Sequence, residues 1–241
     1  MVNKWYWLYK YVLIGPFLRL YNRPTIENVE RIPATGAAIL ASNHQSVADS
    51  FYLPLLCPRQ ITFLAKSEYF TQKGFAGTLK RKFFESLNQI PVNRTAKNAF
   101  DSLLEAAGSV LTKGRLLGIY PEGTRSPDGR VYRGKTGMAR VALHYDVPVI
   151  PVAMLGAREA NPPGTVMLRP VKVGIRIGEP IQARAFVAAQ GLDPLSHEAA
   201  RVLTDEVMRV LTELSEKPYV DIYAQTVKAS LEAGKGYPEG A

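Results

Sequence analysis

Asn43-His44-Gln45-Ser46-Val47-Ala48-Asp49 and, further along the chain, Tyr120-Pro121-Glu122-Gly123-Thr124-Arg125-Ser126 gather the side chains best equipped for chemistry. Each segment lies just past a short apolar run that reads as a strand. An alcohol is a poor nucleophile at neutral pH, so a catalyst that esterifies one needs a base against the hydroxyl, and imidazole has an ordinary pKa suited to that work. A carboxylate on the second ring nitrogen fixes the tautomer, leaves a lone pair facing the substrate and stabilises the imidazolium that forms. His44 and Asp49 are the candidate pair. With Ser46 capping a helix that begins at Val47, Asp49 falls at the third helical position, from which carboxylates reach back toward the residues before the helix. The same residues also read as a plain capping box with a histidine beside it.

In the second segment, Leu116-Leu117-Gly118-Ile119-Tyr120 reads as a buried strand, and Pro121, which has no N–H for a ladder, should end it. Glu122-Gly123-Thr124-Arg125 then offers flexible backbone N–H groups, a hydroxyl and a planar guanidinium, equipment for holding a phosphate. A polar surface turn running into Ser126-Pro127-Asp128-Gly129 is the competing reading. Other reactive side chains are less well placed. Cys57 lies in apolar Leu55-Leu56-Cys57-Pro58, the setting of a buried hydrophobe, and His144 and His197 have no partner at a telling spacing. No Cys/His cluster has metal-ligand spacing, so neither a metal nor a tightly held cofactor is expected.

The elements that must position these residues follow from hydrophobic period. Strands are expected over 37–42, 61–65, 89–92, 116–120, 149–154, 166–168 and 171–177. Helical stripes run through Phe100, Leu103, Leu104, Ala107 and Leu111, and through Leu203, Val207, Val210, Leu211 and Leu214. This pattern predicts one α/β domain with a mixed, mostly seven-stranded sheet flanked by helices. The chain has 241 residues, of which 46% are hydrophobic, enough for one large core and short for two ordinary domains. Its single cysteine precludes an internal disulfide.

The formal charge of +9 points to an anionic partner, nucleic acid or membrane surface. Trp5-Tyr6-Trp7-Leu8-Tyr9, with Lys4, Lys10, Arg19 and Arg23 around it, favours the headgroup level of a bilayer, and the stretch through Tyr21 is too interrupted to span one. Packing on the protein's own core is the alternative. A second basic amphipathic segment covers 70–87 and suits either a membrane contact or a solvated face. The expected organisation is an interfacial membrane helix over 1–24, an α/β domain over 25–217 and a C-terminal tail over 218–241 that frays at its end.

The two motifs together resemble the glycerolipid acyltransferases typified by 1-acyl-glycerol-3-phosphate acyltransferase, whose first block is Asn-His-x-x-x-x-Asp and whose third is Pro-Glu-Gly-Thr-Arg-Ser. Ile90-Pro91-Val92-Asn93-Arg94 stands where that family has a strand ending in arginine, with Pro91 replacing an aromatic residue, and Val147-Pro148-Val149-Ile150-Pro151-Val152 matches its fourth block. The four blocks keep the family's order. The resemblance implies the same α/β fold, with His44 as general base, Asp49 as its orienter, and Arg125, Arg94 and Lys66 on the acceptor's phosphate; Glu122, Gly123 and Thr124 join them as substrate-binding residues. It implies transfer of a fatty acyl group from a thioester, acyl-CoA or an acyl carrier protein, to the sn-2 hydroxyl of lysophosphatidic acid. No tightly bound cofactor and no nucleic acid are then involved, and the expected location is the cytoplasmic side of the cell membrane, peripheral or monotopic. The same chemistry on another lysophospholipid or a glycolipid acceptor is the near alternative; a non-catalytic basic protein that binds membranes or nucleic acid is the rival of another class, and it leaves the ordered blocks unexplained.

Overall fold

The structure, a computed structural model, describes residues 3–72, 74–87, 89–92, 99–165 and 167–241, without the side chains of residues 66, 69, 75, 76 and 80. The chain opens with α1 (Lys4–Leu8), a π-helical turn over Tyr9–Leu13 and α2 (Gly15–Tyr21). There follow β1 (Thr25–Glu27), β2 (Ala38–Ser42), α3 (Asp49–Leu56), β3 (Ile61–Lys66), α4 (Glu68–Thr71), α5 (Gly74–Ser86) and β4 (Ile90–Val92). The middle of the chain holds α6 (Ala99–Leu111), β5 (Leu116–Ile119), β6 (Val131–Tyr132), α7 (Gly137–Tyr145) and β7 (Val149–Leu155). It ends with α8 (Ala157–Ala160), β8 (Gly174–Ile177), α9 (Ala183–Ala188), α10 (His197–Ser215), β9 (Tyr219–Val220) and α11 (Ala224–Glu232).

Seven strands form one sheet in the order β1-β8-β7-β2-β5-β3-β4, parallel throughout except where β8 runs antiparallel to β7. Three corrections to the strand expectation arise. Thr25–Glu27 is the seventh strand, too short to show a period but paired with β8 from Thr25↔Gly174 to Glu27↔Arg176. Residues 167 and 168 form no strand, and Val166 lies outside the described residues. The predicted strand at 171 begins only at Gly174. Pro91 fits its position, because β4 is an edge strand and proline cannot feed a central ladder.

Strand β2 is buried at every residue, and its alternation divides the core. Ile39 and Ala41 face a cluster built with α6, α7 and α10, through Ala107, Val110, Met138, Val141, Leu203, Val207 and Leu211. Ala38 and Leu40 face the opposite cluster, with Leu18, Tyr52, Leu53, Ile150 and Val152. The predicted stripes of α6 and α10 supply much of the first layer. The α10 helix starts where Ser196 caps it, the hydroxyl accepting from the Ala199 N–H at 3.0 Å.

The N-terminal helices lay one face on the domain. Tyr6, Gly15 and Leu18 are buried, the Tyr6 hydroxyl donates to the Pro54 carbonyl and the Lys10 ammonium to the Cys57 carbonyl. The other face shows Trp5, Trp7, Tyr11, Leu13, Phe17 and Leu20 to solvent. Among the described residues no helix is long and apolar enough to cross a membrane.

The C-terminal residues fold onto the domain. Strand β9 pairs in parallel with β6, and Val220, Ala224 and Val227 bury against Tyr132 in a small third cluster that Ile222 and Ala241 edge.

Candidate active site

Parallel pairing of neighbouring strands brings their carboxyl ends together, and β2 and β5 are neighbours in the register Ala41↔Ile119. The loops leaving them are the two motif segments, so segments far apart in sequence meet in the crevice where open α/β sheets place their sites. Asn43 is fully buried and fixes the first loop to β7: its carbonyl oxygen accepts from the Met154 N–H at 2.7 Å, and its amide donates to the Met154 carbonyl at 3.3 Å.

His44 Nδ1 lies 3.0 Å from Asp49 Oδ2, with the imidazole 18% exposed and the carboxylate 1%. The pair is therefore sealed at the carboxylate and open at the base. The same Oδ2 accepts from the N–H groups of Gln45 at 2.7 Å and Ser46 at 2.9 Å. A carboxylate oxygen accepts and does not donate, so Nδ1 carries the proton and Nε2 presents a lone pair. The helix expected from Val47 begins at Asp49 instead, after a turn through Val47 and Ala48. Ser46 is consequently not the cap of that helix. Its hydroxyl accepts from the Ala48 N–H and donates to Asn161 Oδ1, which fastens the turn. The backward reach of Asp49 survives because it depends on position in the first turn and not on the identity of the cap.

The backbone of His44 is held at both ends by the second segment. Its N–H donates to Glu122 Oε2 at 2.9 Å, and its carbonyl accepts from the Ser126 N–H at 2.7 Å. Glu122 is 0% exposed, and its Oε1 accepts from the Tyr132 N–H at 2.9 Å. Both its oxygens are thus committed to backbone donors, so the sequence expectation that Glu122 binds substrate gives way to a framework role. Burial pushes its carboxyl up to about 8, against the pull of the two N–H bonds, with the negative Asp49 adding to the rise and the positive Lys228 opposing it.

Tyr120 has a position that its place at the end of a strand did not announce. Its ring stacks on the imidazole of His44 with centroids 3.8 Å apart and planes at 11°, and its hydroxyl is 3.0 Å from Ser50 Oγ on α3. Phe63 stacks on Tyr120 in turn, at 5.6 Å and 17°. Gly118 makes room for that ring, since a Cβ there would stand 2.5 Å from Phe63 Cε1. The imidazole is thereby fixed in plane by Tyr120 and in rotation by Asp49. Replacing Tyr120 with leucine should lower kcat up to about tenfold, the value of an aromatic stack, whereas phenylalanine should stay within about threefold. Steady-state rates of the two variants check this; equal losses would move the effect from the ring to the hydroxyl.

Gly123 turns the chain at φ 73°, a conformation that costs glycine nothing. Beyond it Thr124 Oγ1 accepts from the Lys228 ammonium at 3.0 Å, and Arg125 is half-buried with no side-chain hydrogen bond or ion pair among the described residues. Beside this loop opens a cleft of about 300 Å³. Leu64, Phe100, Leu103, Ile119 and Met138 supply its apolar wall, while Lys135 and Arg140 stand on its lining with Tyr120 and Gly123. Of the other expected phosphate ligands, Arg94 and the side chain of Lys66 lie outside the described residues. Sequence reasoning gave no role to Asn43, Tyr120, Lys135 or Lys228. Asn43 and Tyr120 stood inside the two motif segments, whereas Lys135 and Lys228 carried no signal.

A mostly parallel sheet that presents a carboxylate-oriented imidazole at its carboxyl edge, with an unengaged guanidinium on the next loop, has the equipment of a general-base transferase. The chain belongs to the acyltransferase family, whose model matches residues 23–155. It is 31% identical over 175 residues to a 1-acyl-sn-glycerol-3-phosphate acyltransferase of Limnanthes alba, an alignment covering 72% of this chain and 60% of that protein. An enzyme of the same name from Bacillus subtilis strain 168 is 27% identical over 80% of this chain and 88% of its own. Among solved structures, the 1-acyl-sn-glycerophosphate (LPA) acyltransferase PlsC from Thermotoga maritima superposes with a TM-score of 0.59 at 27% identity, covering 83% of this chain and 78% of that one. The alignments span 60% of each Limnanthes relative and 51% of the Cocos nucifera one.

Proposed function

We propose that this protein transfers a fatty acyl group from a thioester to the free hydroxyl of a 1-acyl-glycerol 3-phosphate, giving phosphatidic acid. The observation that carries the reading is the His44–Asp49 pair at 3.0 Å, open to solvent on the base side and adjoining the Thr124–Arg125 loop. Nε2 of His44 removes the proton of the acceptor hydroxyl as its oxygen attacks the acyl carbonyl; the C–S bond then breaks, and the thiolate takes the proton back from the imidazolium. A thiol has a pKa near 8.5, so it leaves with little acid assistance and no acyl-enzyme is required. Arg125 suits the acceptor phosphate because a guanidinium grips phosphate oxygens bidentately. The names carried by the relatives agree with this acceptor.

The exposed aromatic face of α1 and α2 suits the headgroup level of an anionic membrane, where a one-tailed phospholipid enters from the side. Acyl-CoA is the proposed donor, with acyl carrier protein its competitor.

The test is turnover of oleoyl-CoA with lysophosphatidic acid in detergent, following thiol release and phosphatidic acid, for the wild type and His44→Ala. Loss of a general base should cost about a hundredfold or more. Thiol release without phosphatidic acid would assign another acceptor, and a wild type that uses acyl carrier protein alone would reassign the donor. An unchanged rate in His44→Ala would remove the mechanism.

A further inference from the structure

A second cleft, of about 290 Å³, opens between the 128–130 turn and the end of β7. It backs onto the base, because Gln45 on its wall directly follows His44, with consecutive Cα atoms about 3.8 Å apart. On the other wall stands Arg158 of α8, whose guanidinium donates to the carbonyls of Ser126 at 3.0 Å and Pro127 at 2.6 Å. Gly129, at φ 99°, brings the turn between them: Gln45 Oε1 and Arg158 Nε each stand 3.7 Å from where a Cβ on Gly129 would be. The amide and the guanidinium therefore converge on one glycine.

Three cations and two carboxylates line this cleft, Arg130, Arg158 and Lys217 with Asp128 and Glu159. Arg130 and Asp128 engage each other, Nε donating to Oδ2 at 2.8 Å. Arg158 and Lys217 make no ion pair among the described residues, and neither does Glu159, which is exposed. Carbonyls take two of the five N–H groups of Arg158 and leave its charge whole. The cleft is consequently net positive, with a half-buried guanidinium partly removed from the screening of water. Gln45 is 4% exposed, and its Nε2 meets no acceptor among the described residues. A buried amide donor without an acceptor is costly. A half-turn of the amide exchanges Nε2 and Oε1 in nearly the same volume, so an anionic oxygen beside Gly129 gains that donor together with Arg158.

We propose that Gln45, Arg158 and Lys217 bind a phosphate group of the thioester donor, which gives the donor an anion site apart from the Thr124–Arg125 loop. The inference rests on the acyl-transfer reading for the identity of the ligand. In a pantetheine thioester the first phosphate is separated from the carbonyl under attack by a long flexible arm, so a donor reacting at His44 lodges that phosphate away from the reacting groups. Two sources carry it, CoA and an acyl carrier protein, and CoA adds the phosphates of its nucleotide half.

Calorimetric binding of coenzyme A, 4′-phosphopantetheine and sn-glycerol 3-phosphate tests this without turnover. Lys217→Glu, at an exposed position, is expected to weaken coenzyme A about tenfold or more, as for a lost charge-assisted hydrogen bond, and Gln45→Leu to weaken it in the same direction. Binding of sn-glycerol 3-phosphate should be unchanged in both. If 4′-phosphopantetheine weakens in step, the site holds the phosphate that CoA and a carrier protein share; if coenzyme A alone weakens, it holds a phosphate of the nucleotide half and the donor is CoA. Coenzyme A bound by Lys217→Glu as by the wild type would overturn the inference, as would a wild type that binds no coenzyme A. Weakening of sn-glycerol 3-phosphate instead would give the cleft to the acceptor and overturn it too. Turnover of the wild type beside His44→Ala reports separately on the acyl-transfer reading, so the two can fail independently.

Discussion

Asp49→Asn is expected to fold as the wild type does and to lose about a thousandfold or more in turnover, the range for turning a carboxylate behind a catalytic imidazole into an amide. In the wild type a single oxygen, Oδ2, serves His44 Nδ1 and the N–H groups of Gln45 and Ser46, while Oδ1 is buried with no partner among the described residues. The carbonyl oxygen of asparagine, standing where Oδ2 stands, keeps all three bonds. What disappears is the negative charge that stabilises the imidazolium during proton transfer. Asp49→Ala is the control, because it leaves two buried N–H groups without an acceptor, at about 1–3 kcal/mol each, and should lower the melting temperature as well. Thermal unfolding beside steady-state rates tests the pair of variants. An asparagine variant within tenfold of wild-type turnover would take Asp49 out of the mechanism.

How much of the fold and the site is legible in the sequence depends on whether the signal is local. His44 and Asp49 are five residues apart, and a first-turn carboxylate reaching back is a local geometry, so their spacing alone is enough to pair them. The strands with long apolar runs are likewise visible, since β2 and β7 are buried on both faces. Thr25–Glu27 is not, because three residues with only Ile26 partly buried show no period, and pairing with β8 alone makes them a strand. The same reason hides Lys228. Its bond to Thr124 crosses 104 residues and is set by the β6–β9 pairing, of which neither strand exceeds two residues. The tail, for which the sequence offers no role beyond fraying at its end, therefore carries Lys228 to Thr124. In the N-terminal helices, the sequence poses interface against core as alternatives, whereas a helix has two faces: Tyr6 and Leu18 pack inward on the core, and Trp5, Trp7 and Phe17 stay exposed on the other face, the one an interface would need.

The other large effect is expected at Glu122, as stability. Glu122→Ala should destabilise the protein by about 2–6 kcal/mol, because it strands the N–H groups of His44 and Tyr132 at about 1–3 kcal/mol each. The geometry of the proposed site goes with it, since the same bond holds the backbone of His44. Glu122→Gln isolates the charge. Its one carbonyl oxygen can satisfy one of the two donors, so it should be the milder variant. With the folded carboxyl at about 8 against an ordinary 4.5, the native state between these values holds a proton that the unfolded chain has released. Stability from this group is therefore complete below 4.5, declines as pH rises through the window by up to about 1.4 kcal/mol per pH unit, and is gone above about 8. Denaturant melts of both proteins across that window read the difference directly, the glutamine variant losing the component of slope that Glu122 supplies. If the two stability curves stayed parallel, the two backbone N–H bonds would hold Glu122 ionised throughout, and its carboxylate would then be free to pair electrostatically with Lys228.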